Sequence, residues 1–386
     1  MKIVVIGAGM IGVSIAAECA ERGAEVVLVD KAEPGSGTSS VSYAWVNSNN
    51  KEPSSYYALN RAGMAAHYKL ANNGNEWFRP TGHVEFATST VHADQLQARL
   101  DRLRARGYEV EKISGNSLTD LVPDLIEPQN VKTAAYFPHE GHCFPRLYVR
   151  NQLQRAQQSG VRLLTRLSVE ALTETPSGVK VHLSDGTLLM ADHVISAVGR
   201  WTNTITAAAG IGPVVAEFQH PGDVTVGYLA TTNPLNISLT RVLTTPELNI
   251  RPHEGGRLLL QALDLDTSAV AGDDPDLGSD IAKEFIKRLR RVLRNTDDAT
   301  INSISVGQRA MPLDGLSIIG VAPAVPWLYM VATHSGVTLA PYLGPTVAAE
   351  VMGEKTDPLL DNFRPARLLA SGLPSLPLPP RYPGQQ

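Results

Sequence analysis

The chain has 386 residues, of which 43% are hydrophobic and 19% charged, and a formal net charge of -4 at pH 7. It can bury a full core in about two domains or one large composite one, and it lacks the dense Lys/Arg block that marks a nucleic-acid binder. Cys19 and Cys143 stand far apart without a Cys-x-x-Cys spacing; this argues against a disulfide framework or a structural zinc site and makes a reducing cytoplasm the simplest setting.

Lys2 to Ile6 is a β-branched run closed by glycine, the pattern of a buried parallel strand. Gly7, Gly9 and Gly12 follow. Ile11, Ile15 and Cys19 then recur every four positions and share one face of a helix that ends near Gly23. Residues 25 to 30, EVVLVD, make a second buried strand, so the opening is a βαβ unit. A leader peptide would also place a lysine before an apolar run, but it leaves Gly7 and Gly9 unexplained. No other apolar run approaches the ~20 residues needed to cross a bilayer.

In such a unit Gly7 permits the tight turn, Gly9 removes a Cβ that would strike a pyrophosphate, and Gly12 lets helix and strand pack. The free N–H groups and positive dipole end of the helix face the phosphates. Asp30 closes the second strand, placed to accept hydrogen bonds from a ribose 2'-hydroxyl and to repel a 2'-phosphate. A dinucleotide site is therefore predicted, NADP is disfavoured, and NAD and FAD both remain open.

Residues 31 to 49, KAEPGSGTSSVSYAWVNSN, form a long polar loop able to follow an extended cofactor towards its reactive ring. Residues 81 to 144 hold a strand, GHVEFAT, a charged amphipathic helix near 92 to 106 and proline-rich turns. Residues 160 to 172 read as strand, turn and strand, and 183 to 203 as a hairpin leading to a buried strand and an Ala-Val-Gly turn. Strand-like runs and a helix at 279 to 294 fill residues 214 to 302. WLYMVAT is a buried strand, His334-Ser335-Gly336 a turn, and the following segment a helix with proline near its start. Its amino end, through the N–H groups of Gly336, Val337 and Thr338, would favour the anion of a reduced flavin. The Pro/Gly-rich tail at 373 to 386 has little capacity to pack.

The loop 31–49, the segments 160–172 and 183–203, and the block 307–353 together resemble the D-amino acid oxidase family of flavoproteins, which includes glycine oxidase, sarcosine oxidase and D-amino acid dehydrogenases. The fold this implies is α/β, a Rossmann-like FAD-binding domain of the glutathione-reductase type with a discontinuous, sheet-based substrate domain. The expected division is 1–80, 145–213 and 303–372 for FAD, and 81–144 with 214–302 for substrate. The resemblance further implies that non-covalent FAD is held at Gly7, Gly9, Met10, Ile11, Gly12, Asp30 and Lys31, then along the loop at Gly37, Thr38, Ser39, Tyr43, Ala44 and Trp45. Val169 would meet the adenine through its backbone; Ala197, Gly199 and Trp201 would lie along the cofactor, and Ser335 to Thr338 would close the flavin end.

Arg309, in GQRAMPLDG, matches the arginine that grips the substrate carboxylate in the related oxidases, although alanine replaces the proline that usually follows it. The simpler role for Arg309 is a structural pair with Asp314. Tyr228 and Arg251 lie on strands expected to face the ring, with His334 and Tyr43 as further candidates. No cysteine lies near the arginine motif, so a covalent flavin link is not expected. Residues 181 to 282 contain no lysine, where sarcosine oxidases use one to help oxygen react; this leaves open a dehydrogenase passing electrons to another acceptor. The expected activity is FAD-dependent oxidation of the C–N bond of an amino acid or related amine, with oxygen or another acceptor and a possible homo-oligomer or partner subunit. A flavin-binding subunit of a hetero-oligomeric amine or opine dehydrogenase, a flavin enzyme acting on an amino sugar or biosynthetic intermediate, and an NAD-dependent dehydrogenase are the rivals.

Overall fold

In the computed structural model, which describes residues 1–71 and 76–369, the opening run becomes the strand Lys2–Ile6, buried at every position after the first. Burial on both faces puts it at the centre of a six-stranded sheet. The order is Ile318–Ala322, Val325–Ala332, His193–Ser196, Lys2–Ile6, Glu25–Asp30 and Arg162–Thr165. All neighbours are parallel except the first pair. The expected βαβ unit is present, its helix running Met10–Glu21.

That helix packs against Pro145–Gln158 and Gly336–Val351. The last of these approaches closely because Gly344 faces Ser14: a Cβ at 344 would stand 2.9 Å from the Ser14 Cβ. The three helices and the sheet share one apolar core, which includes Val13, Ile15, Tyr148, Leu339 and Leu343. The hairpin expected near 183 to 203 belongs to a separate three-stranded antiparallel sheet, Val169–Thr175, Gly178–Leu183 and Leu188–Ala191.

An eight-stranded sheet covers the other side of the site. Its order is Ile301–Gln308, Val226–Thr232, Leu258–Gln261, Asn249–Pro252, Val242–Thr244, His83–Ala87, Thr133–Phe137 and Glu111–Lys112. The helix Asp280–Val292, capped by the Ser279 side chain, buries Phe285 and Leu289 in the core under this sheet. The helix expected near 92 runs Thr90–Ala105 and is capped by Ser89; its apolar face, Leu96, Leu100 and Leu103, is fully buried. The strand Ile301–Gln308 crosses the expected domain boundary at 302, so a continuous strand of the second sheet delivers the chain to Arg309. Among the described residues no helix is long and apolar enough to cross a membrane. The tail expected at 373 to 386 lies outside the described residues.

Gly7 sits at φ +101° with the Ala197 carbonyl 2.6 Å from where its Cβ would be, and a Cβ on Gly12 would stand 1.8 Å from the Gly7 carbonyl oxygen. Gly9 meets only the Ser39 hydroxyl, at 3.1 Å. Gly12→Ala is therefore expected to lower unfolding stability by about 3 kcal/mol, whereas Gly9→Ala shifts it little, as chemical denaturation of the two variants would show.

Candidate active site

The amino ends of the helices Met10–Glu21 and Gly336–Val351 open on a single cavity of about 450 Å³. Neither helix has an acidic residue in its first turn or a capping side chain on its N-cap residue, and the Met10 N–H is met by the Ser39 hydroxyl at 3.3 Å. Two positive dipole ends therefore open on one cavity with no acidic side chain in either first turn. The cavity wall includes Gly9, Met10, Ile11, Thr38, Ser39, Tyr43, Ala44, Trp45, Ala197, Gly199, Arg309, His334 and Ser335 through Thr338. The polar loop is tied to the second sheet where Thr38 Oγ1 donates to the Gln308 carbonyl at 2.8 Å. Its turn puts Ala44 at φ +54°, a conformation helped by the Ser42 hydroxyl accepting the Ala44 N–H at 3.1 Å.

The remaining expected cofactor residues lie outside the main cavity. Asp30 accepts the Ala8 N–H at 2.6 Å and the Ala32 N–H at 2.8 Å, so its carboxylate shapes the glycine turn and keeps lone pairs for a further donor. Lys31 lies over the Trp201 ring at 3.7 Å, and Gly37 is held small by the same indole. Gly7 and Gly12 build the turn, and Val169 is buried at the start of its strand.

Arg309 faces the cavity, but its partner is not the one the sequence suggested. Asp314 pairs with Arg367 at 2.7 Å, while Arg309 Nη2 lies 3.5 Å from Asp266 Oδ2. Arg309 Nη1 donates to the carbonyls of Val224 and Val226. Gly227 makes room for this arrangement, since a Cβ there would stand 2.5 Å from Asp266 Oδ2 and 2.8 Å from Arg309 Nη2. Asp266 also accepts the Tyr228 N–H at 2.8 Å, and burial pushes its carboxyl up to about 6 against the opposing pull of Arg309.

Tyr228 and Arg251 correct the strand reading. Gly227 and Leu229 line the cavity, so the alternation of the strand turns Tyr228 to the opposite face, where its hydroxyl donates to the Ser268 carbonyl at 3.1 Å. Arg251 is 1% exposed and does not line the cavity. Its Nε donates to the Tyr43 carbonyl, so it braces the cavity loop from behind. Burial lowers its proton affinity to about 10.

The residues match the DAO family of FAD dependent oxidoreductases over 2–350. The chain belongs to that family. It is 25% identical to the uncharacterized oxidoreductase YurR of Bacillus subtilis over 391 aligned residues, covering 95% of this chain and 99% of YurR. It is 24% identical to glycine oxidase of Bacillus licheniformis, covering 91% and 92% of the two chains. The fold matches the crystal structure of glycine oxidase from Geobacillus kaustophilus with a TM-score of 0.80 at 22% identity, covering 94% of this chain and 97% of that one. The chain is thus an FAD-dependent oxidoreductase, and its relatives act on amino acids and amines.

The geometry fits FAD. The glycine turn that a Cβ would fill, the two helix amino ends and the single wall joining them suit a long ligand with a diphosphate at one end and a polar ring at the other. Both cysteines are fully buried and neither lines the cavity. Among the described residues no cluster could hold a metal ion.

Three residues of this oxidoreductase escaped the sequence reading. Lys51 is 4% exposed and lines the cavity; burial lowers its ammonium to about 8, opposed by the charge of Glu140. Glu140 is itself fully buried and accepts from Trp45 Nε1 at 2.9 Å, Asn49 Nδ2 at 3.2 Å and the Tyr108 hydroxyl at 2.6 Å, which fixes the loop behind the cavity. Tyr56 joins the His334 ring at 3.0 Å to the Ser335 hydroxyl at 2.6 Å. His334 also meets the Gly315 carbonyl at 3.2 Å, and burial beside Lys51 drops its proton affinity to about 3. A lysine therefore does line the cavity, from outside residues 181–282. Nothing in the sequence marks Lys51, which lies two residues past the polar loop 31–49 and in no periodic run.

Because Lys51 shares the cavity with both helix ends, its loss of charge on raising the pH should perturb bound flavin. A transition in flavin absorbance near pH 8 is expected, and it should be missing in Lys51→Met.

Proposed function

We propose that the enzyme oxidises the C–N bond of an amino acid or related amine to an imine that water then hydrolyses, with the substrate carboxylate held by Arg309. The observation that carries this reading is a cavity-facing guanidinium fixed by backbone carbonyls beside two converging helix ends. A guanidinium has five N–H donors in a planar fork suited to a carboxylate. Bound FAD supplies the hydride acceptor at N5.

The chain's own groups supply orientation and charge. Arg309 anchors one end of the substrate, and its carbonyl and Asp266 contacts fix the fork before binding, which spares the ordering cost at association. His334 is neutral at any working pH, so it adds no second cation to compete for the carboxylate. The apolar and aromatic wall, including Tyr43, Trp45 and Leu229, strengthens electrostatic contacts by excluding water.

Arg309→Leu is expected to weaken carboxylate binding by roughly 100-fold, the scale of one charge-assisted bidentate contact, while the flavin spectrum stays unchanged. An unchanged KM for amino acids in that variant would refute the assignment.

Asp266 sets a pH dependence. Its raised pKa means that below about pH 6 it takes a proton and stops repelling an incoming carboxylate, whereas above pH 6 it is charged. Carboxylate affinity should therefore rise as the pH falls from 7.5 to 5.5. Acetate binding, followed through the flavin spectrum, should show this trend in the wild type and a flat profile in Asp266→Asn.

A further inference from the structure

Two amides on the cavity wall have no part in the chemistry above. Asn249 and Gln261 are directly paired across neighbouring antiparallel strands, and Asn249 Nδ2 donates to Gln261 Oε1 at 3.3 Å. Both line the main cavity. Asn249 is 6% exposed, and its buried Oδ1 has no hydrogen-bond partner among the described residues. The contact uses the Gln261 acceptor and leaves its Nε2 as a donor. An acceptor and a donor therefore stand side by side, at a site where a buried polar atom without a partner costs stability.

The pair also forms a shared wall. Beyond it lies a second cavity of about 210 Å³, bounded by the same Asn249, Gln261 and Leu263 together with Asp264, Glu247, Arg288 and Arg291. Its charges are matched: Arg288 pairs with Asp264 at 2.6 Å, and Arg291 pairs with Glu247. The space beyond the amides thus offers no uncompensated charge to an ionic group.

The pair sits at a useful reach from the carboxylate anchor. The Arg309 guanidinium reaches Gly227, where a Cβ would stand 2.8 Å from its Nη2, and Gln261 lies opposite Leu229 on the neighbouring strand, about 8 Å from Gly227 at the usual strand spacings. Gly227 and Leu229 line the cavity between them. A substrate gripped at Arg309 would thus extend its side chain along this wall towards the amides.

Resting on the reading that Arg309 binds an amino-acid carboxylate, we propose that Asn249 and Gln261 are the specificity-determining pair, and that they select a substrate side chain ending in a neutral hydrogen-bonding group, a carboxamide or a hydroxyl. Sites built to hydrogen-bond a substrate group reject analogues lacking it far more strongly than apolar pockets discriminate by size.

The test is anaerobic stopped-flow reduction of the purified holoenzyme with matched amino acids of either chirality: glutamine against methionine and glutamate, and threonine against valine. The expected result is a rate constant per unit concentration at least ~10-fold higher for the polar neutral member of a pair. Gln261→Met and Asn249→Leu should collapse that ratio towards one, and Asn249→Ser serves if the leucine variant does not fold. Equal or faster reduction by methionine, valine or glutamate overturns the proposal, as does a ratio unmoved by the substitutions. A flavin reduced by some member of each pair without preference would sink this inference while sparing the assignment of Arg309. A flavin reduced by no amino acid would overturn both.

Discussion

The site depends on two helices being brought so close to the central sheet and to each other that both amino ends point into one cavity. Glycine makes this possible at three places. Gly12 has no room for a Cβ beside the Gly7 carbonyl, Gly7 takes a left-handed turn under Ala197, and Gly344 lets the later helix lie on Ser14. Once these contacts are made, the peptide dipoles supply positive potential at both ends of an elongated ligand without a charged side chain. The family's cofactor, with its negative diphosphate and a ring that gains charge on reduction, is suited to that field.

Around this field the protein keeps its titratable groups muted. Burial lowers the proton affinities of Lys51, His334 and Arg251 and raises that of Asp266. The result is a low-dielectric chamber in which Arg309 is the cation best held for a ligand, with two carbonyls and one carboxylate fixing its plane. Asp266 has an opposing effect, since it orients the guanidinium but partly neutralises it. Gly227 shows how tightly that compromise is packed, because any side chain there would displace one partner or the other.

The parts legible in the sequence were those governed by local rules. Periodicity and glycine spacing located the opening βαβ unit, and the helix expected at 279 to 294 runs Asp280–Val292. Candidate residues at the helix ends and along the polar loop line one cavity because chain order and backbone geometry fix their positions. The substrate side was read less well, for two physical reasons. Tyr228 lies on a strand where one face meets the cavity and the other meets the core, and a sequence without a known register does not say which is which; Arg251 shares the face of Asn249, but the Tyr43 segment covers it. The partner of Arg309 is set by a tertiary contact, so Asp314, close in sequence, was the wrong candidate and Asp266, far away, was the right one. Lys51 and Glu140 are both buried inside segments whose composition reads as exposed loop, and only folding brings the charge of one to bear on the other.

The central claim is that one cavity holds both the flavin and an amino-acid carboxylate. The most direct measurement is the visible spectrum of the purified protein, followed by anaerobic addition of glycine, sarcosine, proline and a set of D- and L-amino acids. The account predicts a yellow protein whose ~450 nm band is bleached by at least one of these and by no amine lacking a carboxylate, since flavin carries the redox chemistry and Arg309 selects the acid. A colourless protein that takes up no FAD, or a flavin bleached equally well by simple amines, would contradict it.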